Sequence, residues 1–138
     1  MTASLGRILV VDDEPQVGEV LRDLLMEFGY VVEVAVRGAE ALQIVPVFQP
    51  DAVLLDLQMP EMSGAEVLNH LRRDYPLLPV IMVTGNPDAD VARDMLTRGA
   101  FDYIRKPFTF EVLARVVAAA VVVLPPGDSA HRTDRPGT

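Results

Sequence analysis

Apolar and polar positions along this chain follow two alternating periods. Five short apolar runs read as strands: Ile8 to Val11, Val31 to Ala35, Ala52 to Leu55, Val80 to Thr84 and Phe101 to Ile104. Between them, apolar residues recur at three and four. Val17, Val20, Leu21, Leu24, Leu25 and Phe28 give a first helix that starts at Pro15, where a first turn tolerates proline, and stops at Gly29. Gly38 to Val45 gives a second, shortened or kinked because Pro46 cannot continue an interior turn. A third runs from about Ala65 to Tyr75 with Val67, Leu68 and Leu71 inward, and Pro76 ends it. A fourth spans about Asp88 to Arg98, with Asp88 as cap and Gly99 as stop, and a fifth runs from near Thr109 to about Leu124. Five strand and helix alternations predict an α/β fold with a mainly parallel sheet and helices on both faces.

This pattern places the charged residues. Asp12 and Asp13 follow the first strand run, Asp56 follows the third, Thr84 ends the fourth, and Lys106 follows the fifth. In open parallel sheets, ligands bind at the carboxyl ends of the strands, beside the point where strand order reverses. Three carboxylates gathered there repel one another unless a cation intervenes. Magnesium fits, because it takes oxygen ligands and is commonly held by one or two carboxylates plus phosphate. Calcium fits less well, since the chain has no twelve-residue acidic loop. Lys106, with Asp56 as its expected partner, can reach a phosphoryl oxygen; the Thr84 hydroxyl can donate to the same oxygen, and Gly85 leaves the approach open. An acid pair after a strand is ordinarily a turn or cap, and a lone lysine is ordinarily solvated. Their conjunction at successive strand ends describes a carboxylate nucleophile in a metal-assisted phosphoryl site.

Composition narrows the classes. The 138 residues suit one domain; half are hydrophobic, and the formal net charge of −8 argues against direct binding of nucleic acid. The absence of cysteine excludes disulfides and thiolate metal sites, and His70 and His131 are too few and too far apart to suggest zinc. The start, MTASLGR, has no export pattern, and the longest apolar run, Val116 to Leu124, falls short of the roughly 20 residues a membrane helix needs. A cytoplasmic address with no membrane contact is expected. Residues 1–124 form the expected folded domain, and 125–138, opening with Pro125, Pro126 and Gly127, read as a polar tail or the start of a linker.

Four motifs in order, VVDDEP at 10–15, LLDLQMPEMSG at 54–64, VTG at 83–85 and YIRKPF at 103–108, resemble those of bacterial response-regulator receiver domains, the phospho-acceptor modules of two-component signalling. The resemblance, to receivers of the chemotaxis-regulator kind, covers about Arg7 to Leu124. It implies a three-layer, doubly wound, flavodoxin-like fold with five parallel strands in the order 2-1-3-4-5 and five helices. By position it makes Asp56 the phosphorylated residue, and Asp12 and Asp13 the pair that binds magnesium or, in its place, manganese. It makes Gln58 a further ligand through its backbone carbonyl, Thr84 and Lys106 the phosphoryl-sensing pair, and Tyr103 the aromatic that switches with Thr84. It also implies a cis peptide bond between Lys106 and Pro107. Gln58 and Asn86, two positions beyond Asp56 and Thr84, are expected to influence the water that hydrolyses the acyl phosphate.

The implied partners are a histidine kinase or phosphotransfer protein, with the chain catalysing only its own phosphorylation and dephosphorylation. The last helical segment is apolar almost all round, which predicts a second covered face. The expected occupant is a second copy or an output partner on the surface of the fourth helix, fifth strand and fifth helix, or alternatively a neighbouring domain. The run Val121 to Val123 is a poor helix former, so that end is expected to fray. A receiver fragment of a larger regulator or hybrid kinase is the main alternative. A haloacid-dehalogenase-type phosphatase is more remote, because that chemistry expects an acid where Gln58 stands. A nucleotide-binding domain lacks its phosphate-cradling glycines, and a pseudo-receiver would lack an acid or the lysine.

Overall fold

The computed structural model of the protein describes residues 4–85 and 88–122. Asn86, His131 and the segment 123–138 lie outside the described residues; the last helix ends within them, at Val121 with Val122 as its cap, short of the expected Leu124. Five strands, β1 (Arg7–Val11), β2 (Val31–Ala35), β3 (Ala52–Asp56), β4 (Val80–Thr84) and β5 (Asp102–Arg105), alternate with α1 (Pro15–Glu27), α2 (Gly38–Phe48), α3 (Gly64–Asp74), α4 (Ala89–Thr97) and α5 (Phe110–Val121). The strands form one parallel sheet in the order β2-β1-β3-β4-β5, as the sequence leads one to expect.

Side chains of successive strand residues point to opposite faces, and that parity divides the core in two. Leu9, Val11, Val53, Leu55, Val80 and Met82 pack with α2, α3 and α4, including Val45, Leu68 and Met95. Ile8, Val10, Leu54, Ile81, Val83 and Ile104 pack with α1 and α5, including Leu25, Leu113 and Val117. Both faces of β3 and β4 are buried along their whole length, which explains their unbroken apolar runs.

Gly29 and Gly99, both at φ +106°, end α1 and α4 as expected. Asp88 caps α4 by accepting from the Asp90 N–H at 2.8 Å, and Thr109 caps α5 by accepting from the Val112 N–H at 3.2 Å. Three expectations need correction. Pro46 does not shorten α2, which continues to Phe48 and closes at Gln49 in the left-handed region, φ 55°. Val45 beside it is fully buried, so packing carries the helix past the one bond that a proline cannot make. Strand β5 is displaced by one residue, because Ile81 pairs with Asp102 and Thr84 with Arg105. The uniform apolarity of α5 is mostly absorbed by its own domain: Val112, Val116 and Val121 pack at the rim of the core, leaving Phe110, Ala118, Ala119 and Val122 exposed.

Candidate functional site

Two strands end in buried acids. The Asp12 N–H donates to the Ala35 carbonyl at 3.0 Å, extending the β1 ladder by one step, and the side chain is left at the rim with its Oδ1 accepting from the Glu14 N–H at 2.9 Å. Asp56 is the last residue of β3, and its Oδ1 accepts from the Gln58 N–H at 3.3 Å. Exposure is only 2 % for Asp12 and 5 % for Asp56, while Asp13 is half-buried. One oxygen from each of Asp12, Asp13 and Asp56 lies within 4.8 Å of the others. Like charges at that spacing repel by ~3 kcal/mol per pair at an effective dielectric of about 20.

Lys106 arrives directly from β5, its N–H donating to the Thr84 carbonyl at 2.8 Å, and the peptide bond to Pro107 is cis. Its Nζ lies 3.3 Å from Asp12 Oδ2 and 3.8 Å from Asp56 Oδ1. The ammonium thus bridges the acids with Asp12 as its nearer partner, rather than pairing with Asp56 alone. Asp12 is the more buried of the two, so the closest cation stands where water compensates least.

Burial pushes the Asp56 carboxyl up from its ordinary 3.8 to about 6, and the Asp12 and Asp13 charges add to the rise; Lys106 and the Gln58 N–H oppose it. Asp56 therefore stays ionised at neutral pH but at a penalty, which a hard cation held by these carboxylates would relieve. The donor set fits magnesium: every candidate ligand in the cluster is a carboxylate oxygen.

Thr84, 3 % exposed, ends β4. Tyr103, half-buried on β5, packs against the core on the α2, α3 and α4 side, and its N–H donates to Asp102 Oδ1 at 2.7 Å. Gly85 borders open space, with nothing within 4 Å of where a Cβ would stand, so its surroundings leave the approach clear. Gln58 is exposed in the loop after β3.

One residue essential to the geometry escaped the sequence reading. A Cβ on Gly64 would stand 2.2 Å from the Asp56 carbonyl oxygen and 2.7 Å from Leu57 Cα, and the Gly64 N–H donates to Leu57 O at 2.9 Å. The start of α3 thus packs directly on the backbone that presents Asp56. Its cap was legible: Ser63 and Glu66 stand at capping-box spacing, and Ser63 Oγ accepts from the Glu66 N–H at 3.2 Å.

Comparison with known proteins places this geometry. The family model of the response regulator receiver domain matches residues 8–118. The chain is 41% identical over 124 residues to the response regulator MprA of Mycolicibacterium vanbaalenii, covering 90% of this chain and 54% of that protein. It is 38% identical over 121 residues to the regulatory protein AtoC of Escherichia coli, covering 88% of this chain and 26% of that one. It spans about half the length of most of the curated relatives it matches. Among solved structures, a response regulator receiver domain protein from Clostridium thermocellum superposes with a TM-score of 0.80 at 34% identity, covering 83% of this chain and 93% of that one. The receiver domain of NtrX from Brucella abortus does so with a TM-score of 0.81 at 30% identity, covering 85% and 99%.

Proposed function

This chain belongs to the response regulator receiver domain family of two-component signalling, and on that premise we propose that Asp56 accepts a phosphoryl group from a phosphohistidine donor. The observation that carries the reading is the convergence of Asp12, Asp13 and Asp56 within 4.8 Å with Lys106 against two of them. An Asp56 carboxylate oxygen attacks phosphorus in line, the P–N bond breaks, and the donor imidazole leaves with the electron pair. Asp12, Asp13 and Asp56, with the Gln58 backbone carbonyl, are the residues to hold magnesium, which when bound neutralises charge on the phosphoryl oxygens. Lys106 turns from Asp12 and Asp56 to a phosphoryl oxygen, and the Thr84 hydroxyl donates to another.

Movement of Thr84 toward the phosphoryl group is the step that reaches Tyr103, on the neighbouring strand. The output is a change in what binds the surface of α4, β5 and α5. Leu96, Phe101 and Phe110 are exposed there, at 44%, 37% and 60%, and offer apolar contact to a second copy or an output domain. A histidine kinase or phosphotransfer protein is the donor. The greater length of the relatives is compatible with a receiver acting inside a larger regulator, which leaves the Asp56 chemistry unchanged.

The experiment is addition of beryllofluoride, a phosphoryl mimic, with magnesium while amide NMR resonances are followed. The expected result is a shift of Thr84, Tyr103 and α4 resonances in the native chain and none in Asp56→Asn. No shift, or the same shift in the variant, overturns the proposal.

A further inference from the structure

The end of the sheet away from Asp56 carries a groove of about 630 Å³ between α2 and the outer strand β2, lined by Val31, Glu33, Glu40, Ile44, Val47 and Phe48. Its apolar lining is uncovered: Val47 is 84% exposed and Val31 47%. Glu33 has no ion-pair partner among the described residues, and Arg7 closes one end with its guanidinium 5.9 Å from the centre of the Phe48 ring and donating to the Phe48 carbonyl at 3.0 Å.

We propose that this groove is the docking site for the segment of the same chain that follows α5, residues 123–138. Position supports it first. The last turn of α5 ends beside β1: Val121 Cγ1 lies 3.2 Å from where a Cβ on Gly6 would stand, and Gly6 is bonded to the groove residue Arg7. The chain therefore leaves α5 beside the start of β1, on the face of the sheet opposite α2, and has only to pass round that end of the sheet to reach the groove. Sixteen residues follow Val122, enough extended chain for roughly 50 Å.

Chemistry supports it next. The segment begins Val123, Leu124, Pro125 and Pro126, apolar side chains matching Val31, Ile44 and Val47. Each residue before a proline is restricted to extended conformations, so this stretch loses little entropy on lying along a strand edge. Arg132 and Arg135 then supply the opposite charge for Glu33 and Glu40, and Asp128 for Arg7. The consequence is a fixed direction for the chain beyond the receiver, on the α2 side of the sheet. The inference stands apart from Asp56 phosphorylation, and either can fail without the other.

Because the protein contains no cysteine, Ser129→Cys gives a single attachment point for a nitroxide on the full chain. Selective paramagnetic broadening of the Val31, Gln43 and Val47 amides, stronger than at Leu96 and Tyr103 by the opposite edge of the sheet, is the expected result. It should persist on dilution and disappear in Val47→Asp, a substitution at an exposed side chain. Broadening that fades on dilution would assign the groove to a second copy and overturn the proposal. Uniform broadening, or none, overturns it equally.

Discussion

The penalty on Asp56 is a property of one residue and has a definite sign. Its carboxyl binds a proton more tightly in the folded chain, at about 6, than at its ordinary 3.8. The folded state thus holds the extra proton, and this group's contribution makes stability fall as pH rises from about 4 to about 6. Above that window the full cost, on the order of 2–3 kcal/mol, is present without metal. Asp56→Asn removes the charge but leaves the Asp12 and Lys106 pair. Metal-free Asp56→Asn should therefore be the more stable protein in urea denaturation at pH 7, with the difference vanishing near pH 4. An equal or lower stability at pH 7 would show that the acids are already compensated. Much of this site was legible in the sequence, because each member occupies a strand end and periodicity locates strand ends. The preference of Lys106 for Asp12 was not legible, since it depends on relative burial that spacing does not encode. Nor was Gly64, whose necessity arises from the close approach of α3 to the Asp56 carbonyl.

Elements are joined here by contacts that the hydrophobic pattern does not announce. Arg72, on the otherwise amphipathic α3, turns its guanidinium back onto the chain and donates to the carbonyls of Tyr75, Pro76, Leu78 and Gly99. It thereby ties the end of α3 to the turn between α4 and β5. Gly99 completes the fit, since a Cβ there would stand 2.5 Å from Arg72 Cδ. Burial lowers the Arg72 pKa, and among the described residues its Nε has no partner, so there the desolvation is answered by the four carbonyls. Arg72→Met preserves most of the stem but orphans those acceptors. A loss of about 2–4 kcal/mol in urea denaturation is expected, with Arg72→Lys recovering only part because an ammonium cannot span four acceptors. In α2 the sign reverses. Pro46→Ala restores a donor for the Leu42 carbonyl at an exposed position, and should stabilise by about 1 kcal/mol after the unfolded chain regains its freedom. Helix positions were legible from spacing because apolar faces repeat. The outcome at Pro46 was not, because burial of Val45 outweighed a local rule.

At the scale of the whole molecule, the fold concentrates negative charge at one end of the sheet, where a cation would compensate it. A net charge of −8 surrounds a cluster in which three carboxylates face one ammonium. A cation that binds only when Asp12, Asp13 and Asp56 are assembled binds the folded chain and not the unfolded one, so it stabilises every element of the fold at once. Magnesium at about one hundred times its Kd would add about 2.7 kcal/mol to the unfolding free energy. Screening by sodium chloride at matched ionic strength should give much less, because it acts on exposed charges and hardly on a cluster only 2–5 % exposed at Asp12 and Asp56. The effect should be largest at neutral pH and shrink as pH falls through about 6, where Asp56 takes up its proton. Asp13→Asn should weaken it while leaving the buried pair of Asp12 and Lys106 in place. If sodium and magnesium shifted the urea midpoint equally at matched ionic strength, the cluster would be screened rather than occupied. The chemistry assigned to Asp56 would then lose its electrostatic foundation.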